Sequence, residues 1–143
     1  MNEKIELYKH IYKDAEMGIF TITKLLEELK EKDNKIKKDV EEILKGYERY
    51  FSEAKDLLGD YTKDENGMMA KMGASMGIKK EVKYDNSDTS IAEMLIQGVS
   101  MGSIEMEKKI SNYKDVVDKK ELKFAKDFLE FQQDVITGLK KYL

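Results

Sequence analysis

The feature that most constrains the fold is a proline-free chain of 143 residues in which apolar side chains recur at alternating steps of three and four. Proline is the strongest interior helix breaker, and strands would alternate with a period of two. The pattern is therefore typical of long amphipathic helices. Its four stretches predict helices over residues of about 2–31, 34–58, 90–117 and 119–142.

Short polar breaks separate the helices within each pair. The break around Asn34 supplies a predicted cap for the second helix. Ser90-x-x-Glu93 and Asp118-x-x-Glu121 have the spacing of capping boxes for the third and fourth helices. Because both breaks are short, each pair of helices is predicted to form an antiparallel hairpin.

Residues 59–89 join the two hairpins and form a connection far longer than an ordinary helix–helix turn. A helix of about 25 residues spans about 37 Å, a distance over which such a connection can return. Met68, Met72 and Met76 are spaced by four within it, which predicts a short Met-rich helix over about 65–77. We therefore predict one all-α domain over 1–143, a four-helix bundle of two antiparallel hairpins joined by a long crossover.

Composition and charge exclude several classes of protein. Lys and Arg number 26 against 29 Asp and Glu, the net charge is -3, and the isoelectric point is near 5.4. Nucleic-acid-binding domains are usually basic, so we expect no nucleic acid partner. The N-terminal segment is too charged for a signal peptide, and no apolar run approaches a membrane span. We expect a cytoplasmic protein without membrane insertion; with no cysteine, it has no disulfide and no thiol nucleophile.

Two hairpins and one long crossover are the layout of ferritin-like bundles. Three local sequences strengthen the likeness: Asp14-Ala15-Glu16-x-Gly18, Tyr47-Glu48-Arg49-Tyr50-Phe51-x-Glu53-Ala54 and Phe128-Leu129-Glu130-Phe131-Gln132-Gln133. The chain resembles the ferritin-like superfamily, and within it the small bacterial proteins related to rubrerythrin. Active members hold two metals in the bundle core, with one Glu from each of two helices and a Glu-x-x-His pair from each of the others. The resemblance therefore implies a di-metal site in the core of this bundle.

The chain departs from that ligand pattern. The corresponding inward positions of the second and fourth helices hold Tyr47, Tyr50, Leu129 and Gln132, and none of these is histidine. Glu16 and Glu105 lie at the edges of their apolar stripes, so that Glu16, Glu105 and Gln132 would form an unusual metal site. Four hard or borderline ligands per ion are not assembled from these residues. The sequence therefore predicts a degenerate di-metal site, no cofactor and no enzymatic activity.

Phenols and one amide form a second candidate site. Tyr12, Tyr47, Tyr50 and Gln132 are predicted to lie together at mid-bundle, where the metals would have been. They form either a polar pocket or a set of side chains whose polar atoms pair with one another or reach the bundle edge. His10, the sole imidazole, is predicted to be exposed, because it lies about 140° from the centre of its stripe.

Methionines of the crossover and glycines of the third helix are the remaining candidates. Met68, Met69, Met72 and Met76 predict packing onto the bundle, an adaptable surface for a partner protein, or a soft thioether site for Cu(I). Gly98-x-x-x-Gly102 predicts a notch that admits a bulky neighbour from the crossover or from another subunit.

These observations favour a non-enzymatic ferritin-like bundle that serves as a structural or protein-interaction module, as a homodimer or with another protein. Two alternatives stay open. One is a divergent metal-binding or oxidant-handling member of the superfamily, and the other is a small-ligand binder with a tyrosine-lined cavity.

Overall fold

The computed structural model describes residues 2–62 and 85–143, which fold into four α-helices. The helices are α1 (Glu3–Glu28), α2 (Lys37–Leu58), α3 (Asp88–Tyr113) and α4 (Lys119–Leu139). No strand occurs in these two ranges, and the predicted all-α class is confirmed. The predicted crossover helix and its four methionines lie outside the described residues. Within the described part of the chain, no helix is long and apolar enough to cross a membrane.

Two of the predicted caps are wrong, because other residues occupy the N-cap positions of α2 and α3. Ser87, not Ser90, caps α3, since its Oγ accepts a hydrogen bond from the Ser90 N–H at 3.1 Å. Asn34 lies outside α2, whose N-cap is Ile36. The Asn34 amide instead donates across the bundle to the carbonyl of Asn86 at 2.8 Å and to Oδ1 of Asp88 at 2.9 Å. Asn34 therefore joins the first hairpin to the start of α3.

Removing this connection is expected to destabilise the fold modestly. Asn34→Ala should lower the free energy of unfolding by about 1–2 kcal/mol, because two hydrogen bonds are lost at a half-buried position. Urea denaturation measures the change. Asn112→Ala, at an exposed position of α3, is the control and should stay within about 0.5 kcal/mol of the wild type. Equal effects of the two substitutions would contradict a role for Asn34 in joining the hairpins.

Contacts at the two ends of the bundle give the direction of each helix. At one end, Tyr142 follows α4, and its carbonyl accepts a hydrogen bond from Thr89 Oγ1 at 2.8 Å. Its hydroxyl donates to Asp39 at the start of α2. At the opposite end, Lys4 Nζ lies 3.7 Å from Glu121 Oε1. The starts of α2 and α3 thus lie at one end and the starts of α1 and α4 at the other, so that each hairpin is antiparallel.

The core lies between the two hairpins and is aromatic at its centre. The rings of Tyr47, Tyr50, Phe128 and Phe131 contact one another at centroid distances between 5.0 and 6.4 Å. Phe128 is fully buried within this group. A Cβ on Gly46 would lie 2.1 Å from Cε1 of Phe131, so glycine at this position lets the Phe131 ring lie against α2. This cluster fixes the position of the Tyr47 ring between α1, α2 and α4.

Candidate functional site

A partly buried polar contact between Asp14 and Gln132 lies where α1, α3 and α4 meet. Gln132 is fully buried, and its Nε2 donates a hydrogen bond to Oδ2 of Asp14 at 2.9 Å. A Cβ on Gly102 would lie 2.8 Å from both of these atoms. The backbone of α3 therefore approaches this pair as closely as it does because residue 102 has no side chain. The sequence predicts a notch at Gly102 that admits a bulky neighbour. In the structure, the side chains next to Gly102 are those of Asp14 and Gln132.

The Asp14 carboxyl is held in surroundings that disfavour its charge. Burial raises the pKa of Asp14 to about 6, although the hydrogen bond from Gln132 opposes the rise. At neutral pH the group is thus a half-buried carboxylate. Its partner also has an unused acceptor, because Gln132 Oε1 is buried and accepts no hydrogen bond from residues 2–62 or 85–143. Buried polar atoms ordinarily have partners, so the pair has capacity for further donors.

Asp14 lines a cavity of about 240 Å³ bounded by α1, α2 and α3. Most of its wall is apolar and is contributed by Met17, Ile22, Met94, Leu95 and Val99. The polar side chains on the wall are Asp14, Thr21 and Tyr47. An apolar cavity with a few convergent polar groups is the usual form of a small-molecule site.

The ring of Tyr47 reaches this cavity because the facing residue of α1 is glycine. A Cβ on Gly18 would lie 2.7 Å from Cδ1 and Cε1 of the Tyr47 ring. Burial, together with the nearby charge of Asp14, raises the pKa of the Tyr47 hydroxyl above its ordinary value. The phenol therefore stays neutral and is available as a hydrogen-bond donor or acceptor.

The four residues of the predicted pocket have different surroundings. Tyr47 and Gln132 both adjoin Asp14, Tyr47 on the cavity wall and Gln132 through its hydrogen bond. The Tyr50 hydroxyl donates to the carbonyl of Asp127 at 3.1 Å. Tyr12 stacks on Phe51 with a centroid distance of 4.9 Å. The structure thus brings Tyr47 and Gln132 together around a residue that was not predicted.

Asp14 appears in the sequence only as part of a family-like motif, yet its spacing contains a usable signal. It follows Leu7 by seven residues and Ile11 by three, and it precedes Gly18 by four. Leu7 and Ile11 are fully buried, so this spacing places Asp14 on an inward stripe of α1. A carboxylate on an apolar stripe, one helical turn from a glycine, is the pattern that identifies it.

The described residues around Gln132 do not fit the pair of metals that the family resemblance implies. Glu105 is exposed, and its Oε1 lies 3.3 Å from Lys108 Nζ. Glu16 is half-buried and lines a groove with Phe51 on another side of α1. Across residues 2–62 and 85–143, no group of three or more His, Cys, Asp or Glu side chains is placed to hold a metal ion. One carboxylate and one amide fall short of the ligands that such ions need.

His10 is half-buried rather than exposed, so its predicted exposure is wrong. It lies one helical turn before Asp14, and its Nε2 is buried without a hydrogen-bond partner among the described residues. Burial lowers the pKa of His10, Lys109 lowers it further, and Glu105 opposes both. The angle of His10 from the apolar stripe of α1 could not predict these surroundings, because they depend on α3, which brings Lys109 and Glu105 to the same side of α1.

The two glycines of α3 provide a matched pair of variants for testing this site. Gly98→Ala adds a Cβ that meets nothing within 4 Å and should stabilise the protein by about 0.5–1 kcal/mol through helix propensity. Gly102→Ala has the same intrinsic gain but displaces the Asp14–Gln132 pair, so a net loss of about 1–2 kcal/mol is expected. Thermal and urea unfolding measure both. A stabilising Gly102→Ala would show that the pair does not pack against α3.

Comparison with known proteins finds no match of this chain to a protein-family model, a curated protein or a solved structure.

Proposed function

We propose that this protein is a ferritin-like bundle without redox chemistry whose cavity between α1, α2 and α3 binds a small, mainly apolar molecule. The two antiparallel hairpins, with α2 and α3 starting at the same end, support the ferritin-like part of the proposal. The observation that carries the binding function is the half-buried carboxylate of Asp14, which lies on the wall of an apolar cavity and has a raised pKa. An ionised carboxylate is costly to bury, and perturbed groups of this kind are concentrated at functional sites.

The size of the cavity limits the ligand. An apolar cavity of about 150 Å³ binds benzene, which has six non-hydrogen atoms. In proportion, the cavity of about 240 Å³ suits a molecule of roughly ten non-hydrogen atoms. Its walls contain two flexible methionines, Met17 and Met94, which adapt to ligands of different shape.

Binding can be tested through these methionines. Carbon-13 labelling of the methionine methyl groups gives separate NMR signals for Met17 and Met94 on the cavity wall and for Met101, which is 71% exposed. Titration with benzyl alcohol should shift the Met17 and Met94 signals in a saturable way and leave the Met101 signal in place.

A pair of glycine variants locates the bound probe. Gly98 lines the cavity, and a Cβ there would meet nothing within 4 Å, so Gly98→Leu should fill the space and abolish the response. Gly138→Leu on α4 also adds its Cβ into open space, away from this cavity, and should keep the response. Unmoved Met17 and Met94 signals in the wild type, or equal responses of the two variants, would contradict the proposal.

A second function, a structural or protein-interaction module in the form of a homodimer, is favoured by exposed apolar side chains on α3. Met101 and Ile104 are 71% and 52% exposed. Large apolar side chains that stand together on a surface are typical of protein contacts. Light scattering should then show a dimer that Met101→Glu dissociates, whereas a monomer at every concentration would contradict this function.

The metal-binding alternative with Glu16, Glu105 and Gln132 has the least support, because Glu105 is exposed and paired with Lys108. Metal analysis of the purified protein tests it directly. Stoichiometric iron, manganese or zinc that is lost in Glu16→Gln would favour this alternative over small-molecule binding.

A further inference from the structure

We infer that the ligand of this cavity is a small apolar amine, whose protonated nitrogen lies against the Asp14 carboxylate while its apolar part contacts Met17, Met94 and Val99. This inference rests on the proposed function, because it names the chemical class of molecule that the cavity takes. The charge of Asp14, the hydrogen-bond acceptors and the apolar wall of the cavity all support it.

The charge at the site is negative and has no partner in the described structure. The influences on the pKa of Asp14 are burial and the Gln132 hydrogen bond, and no cationic side chain of the described residues is among them. A carboxylate that is partly removed from water is stabilised by a nearby opposite charge. An ammonium group supplies the opposite charge that no residue of 2–62 or 85–143 provides, whereas an anionic ligand would be repelled by the carboxylate.

The Asp14 carboxylate can accept further hydrogen bonds from a ligand that carries donors. Asp14 accepts one hydrogen bond, from Gln132 Nε2, and a carboxylate has room for several more. Gln132 itself does not line the cavity, so the acceptors that a ligand meets there are the Asp14 oxygens and the hydroxyls of Thr21 and Tyr47. A protonated primary amine carries three donors and no acceptor, which complements this set.

The remainder of the wall selects for an apolar body. Thr21 and Tyr47 are its other polar side chains, and neither is charged, since burial keeps the Tyr47 phenol neutral. The rest is aliphatic or thioether surface. A strongly polar polyamine would leave its other nitrogens without partners there, so one amino group on an apolar skeleton is the best match.

Three probes with one skeleton test the class of ligand: benzylamine, benzyl alcohol and benzoate. Binding is followed at about pH 8, where Asp14 is ionised and the amine protonated, through the Met17 and Met94 methyl signals. We expect benzylamine to bind the wild type at least about tenfold more tightly than benzyl alcohol, and benzoate not to shift these signals. In Asp14→Asn, the affinity for benzylamine should fall at least about tenfold, while that for benzyl alcohol changes less than about threefold. Asp115→Asn, which removes an exposed carboxylate, should leave both affinities unchanged.

The outcomes separate this inference from the function on which it rests. If benzyl alcohol binds as tightly as benzylamine, or if Asp14→Asn leaves the affinity for benzylamine intact, the amine class is wrong and cavity binding stands. Tighter binding of benzoate would also overturn the amine class. If no probe shifts the Met17 and Met94 signals, both the inference and the proposed function fail.

Discussion

Asp14→Asn is expected to raise the free energy of unfolding at neutral pH by about 3 kcal/mol. The pKa of Asp14 rises from 3.8 to about 6 on folding, a difference worth about 3 kcal/mol at roughly 1.4 kcal/mol for each pH unit. Because the folded chain holds this proton more tightly, the contribution of Asp14 to stability is complete below about pH 3.8 and is lost as the pH rises through about 6. Asparagine is neutral throughout, and its amide nitrogen can donate to Gln132 Oε1.

Urea denaturation of the wild type and the variant between about pH 3 and pH 8 measures this effect. The two free energies should agree at the acid end and diverge as the pH rises to about 7. The lowered pKa of His10 makes stability fall as the pH drops below 6.5, but this term is common to both proteins and cancels in the difference. Asp115→Asn, at an exposed position, should change stability by less than about 0.5 kcal/mol. If Asp14→Asn were less stable than the wild type at neutral pH, the conclusion that the ionised Asp14 carboxylate destabilises the folded state would be wrong.

The combined result bears on function as well as on stability. Asp14→Asn should be more stable and yet bind benzylamine less tightly. Binding-site residues often lower the stability of the fold, because binding and folding place opposite demands on the same side chain. Such an outcome would distinguish a binding residue from one retained for packing.

Phe128→Ala is expected to cause the largest loss of stability, about 3–5 kcal/mol. Phe128 is fully buried, and its ring contacts those of Tyr47, Tyr50 and Phe131 at 6.4, 5.2 and 6.0 Å between centroids. Truncation removes this apolar surface and leaves a cavity at the centre of the bundle, which the helices only partly close. Urea denaturation measures the loss, and the slope of the free energy of unfolding against urea concentration should stay at its wild-type value.

Phe20→Ala is the matched control for Phe128→Ala. Phe20 is half-buried on α1, where Lys24 Nζ lies 5.8 Å from its ring centroid. A loss of about 1 kcal/mol is expected there, since little core surface is removed. Similar losses for the two variants would mean that the aromatic cluster is not the centre of the core. Because Tyr47 belongs to that cluster, Phe128→Ala should also weaken the response of the cavity to benzyl alcohol.

The sequence by itself determined the class of fold, because helix formation follows from local spacing. The steps of three and four around Ile43, Tyr47 and Tyr50 specify an inward face whatever lies opposite, and the long connection after Leu58 separates the helices into pairs. Capping was harder to predict. Asn34 and Ser90 have the right residue types, but Asn34 bonds to residues more than 50 positions away, a choice that local sequence does not contain.

The tertiary structure alone decided the site. Local spacing places Asp14 on an inward stripe and Gln132 on another, yet their hydrogen bond depends on how closely α1, α3 and α4 approach. That approach is set by Gly102, whose missing side chain makes room for the pair, and by Gly18, which admits the ring of Tyr47. Helical period determines which way a side chain faces, whereas distance between helices determines what it meets. For this reason the helices and the inward face of Asp14 could be predicted from the sequence, whereas its hydrogen bond to Gln132 and the cavity beside it could not.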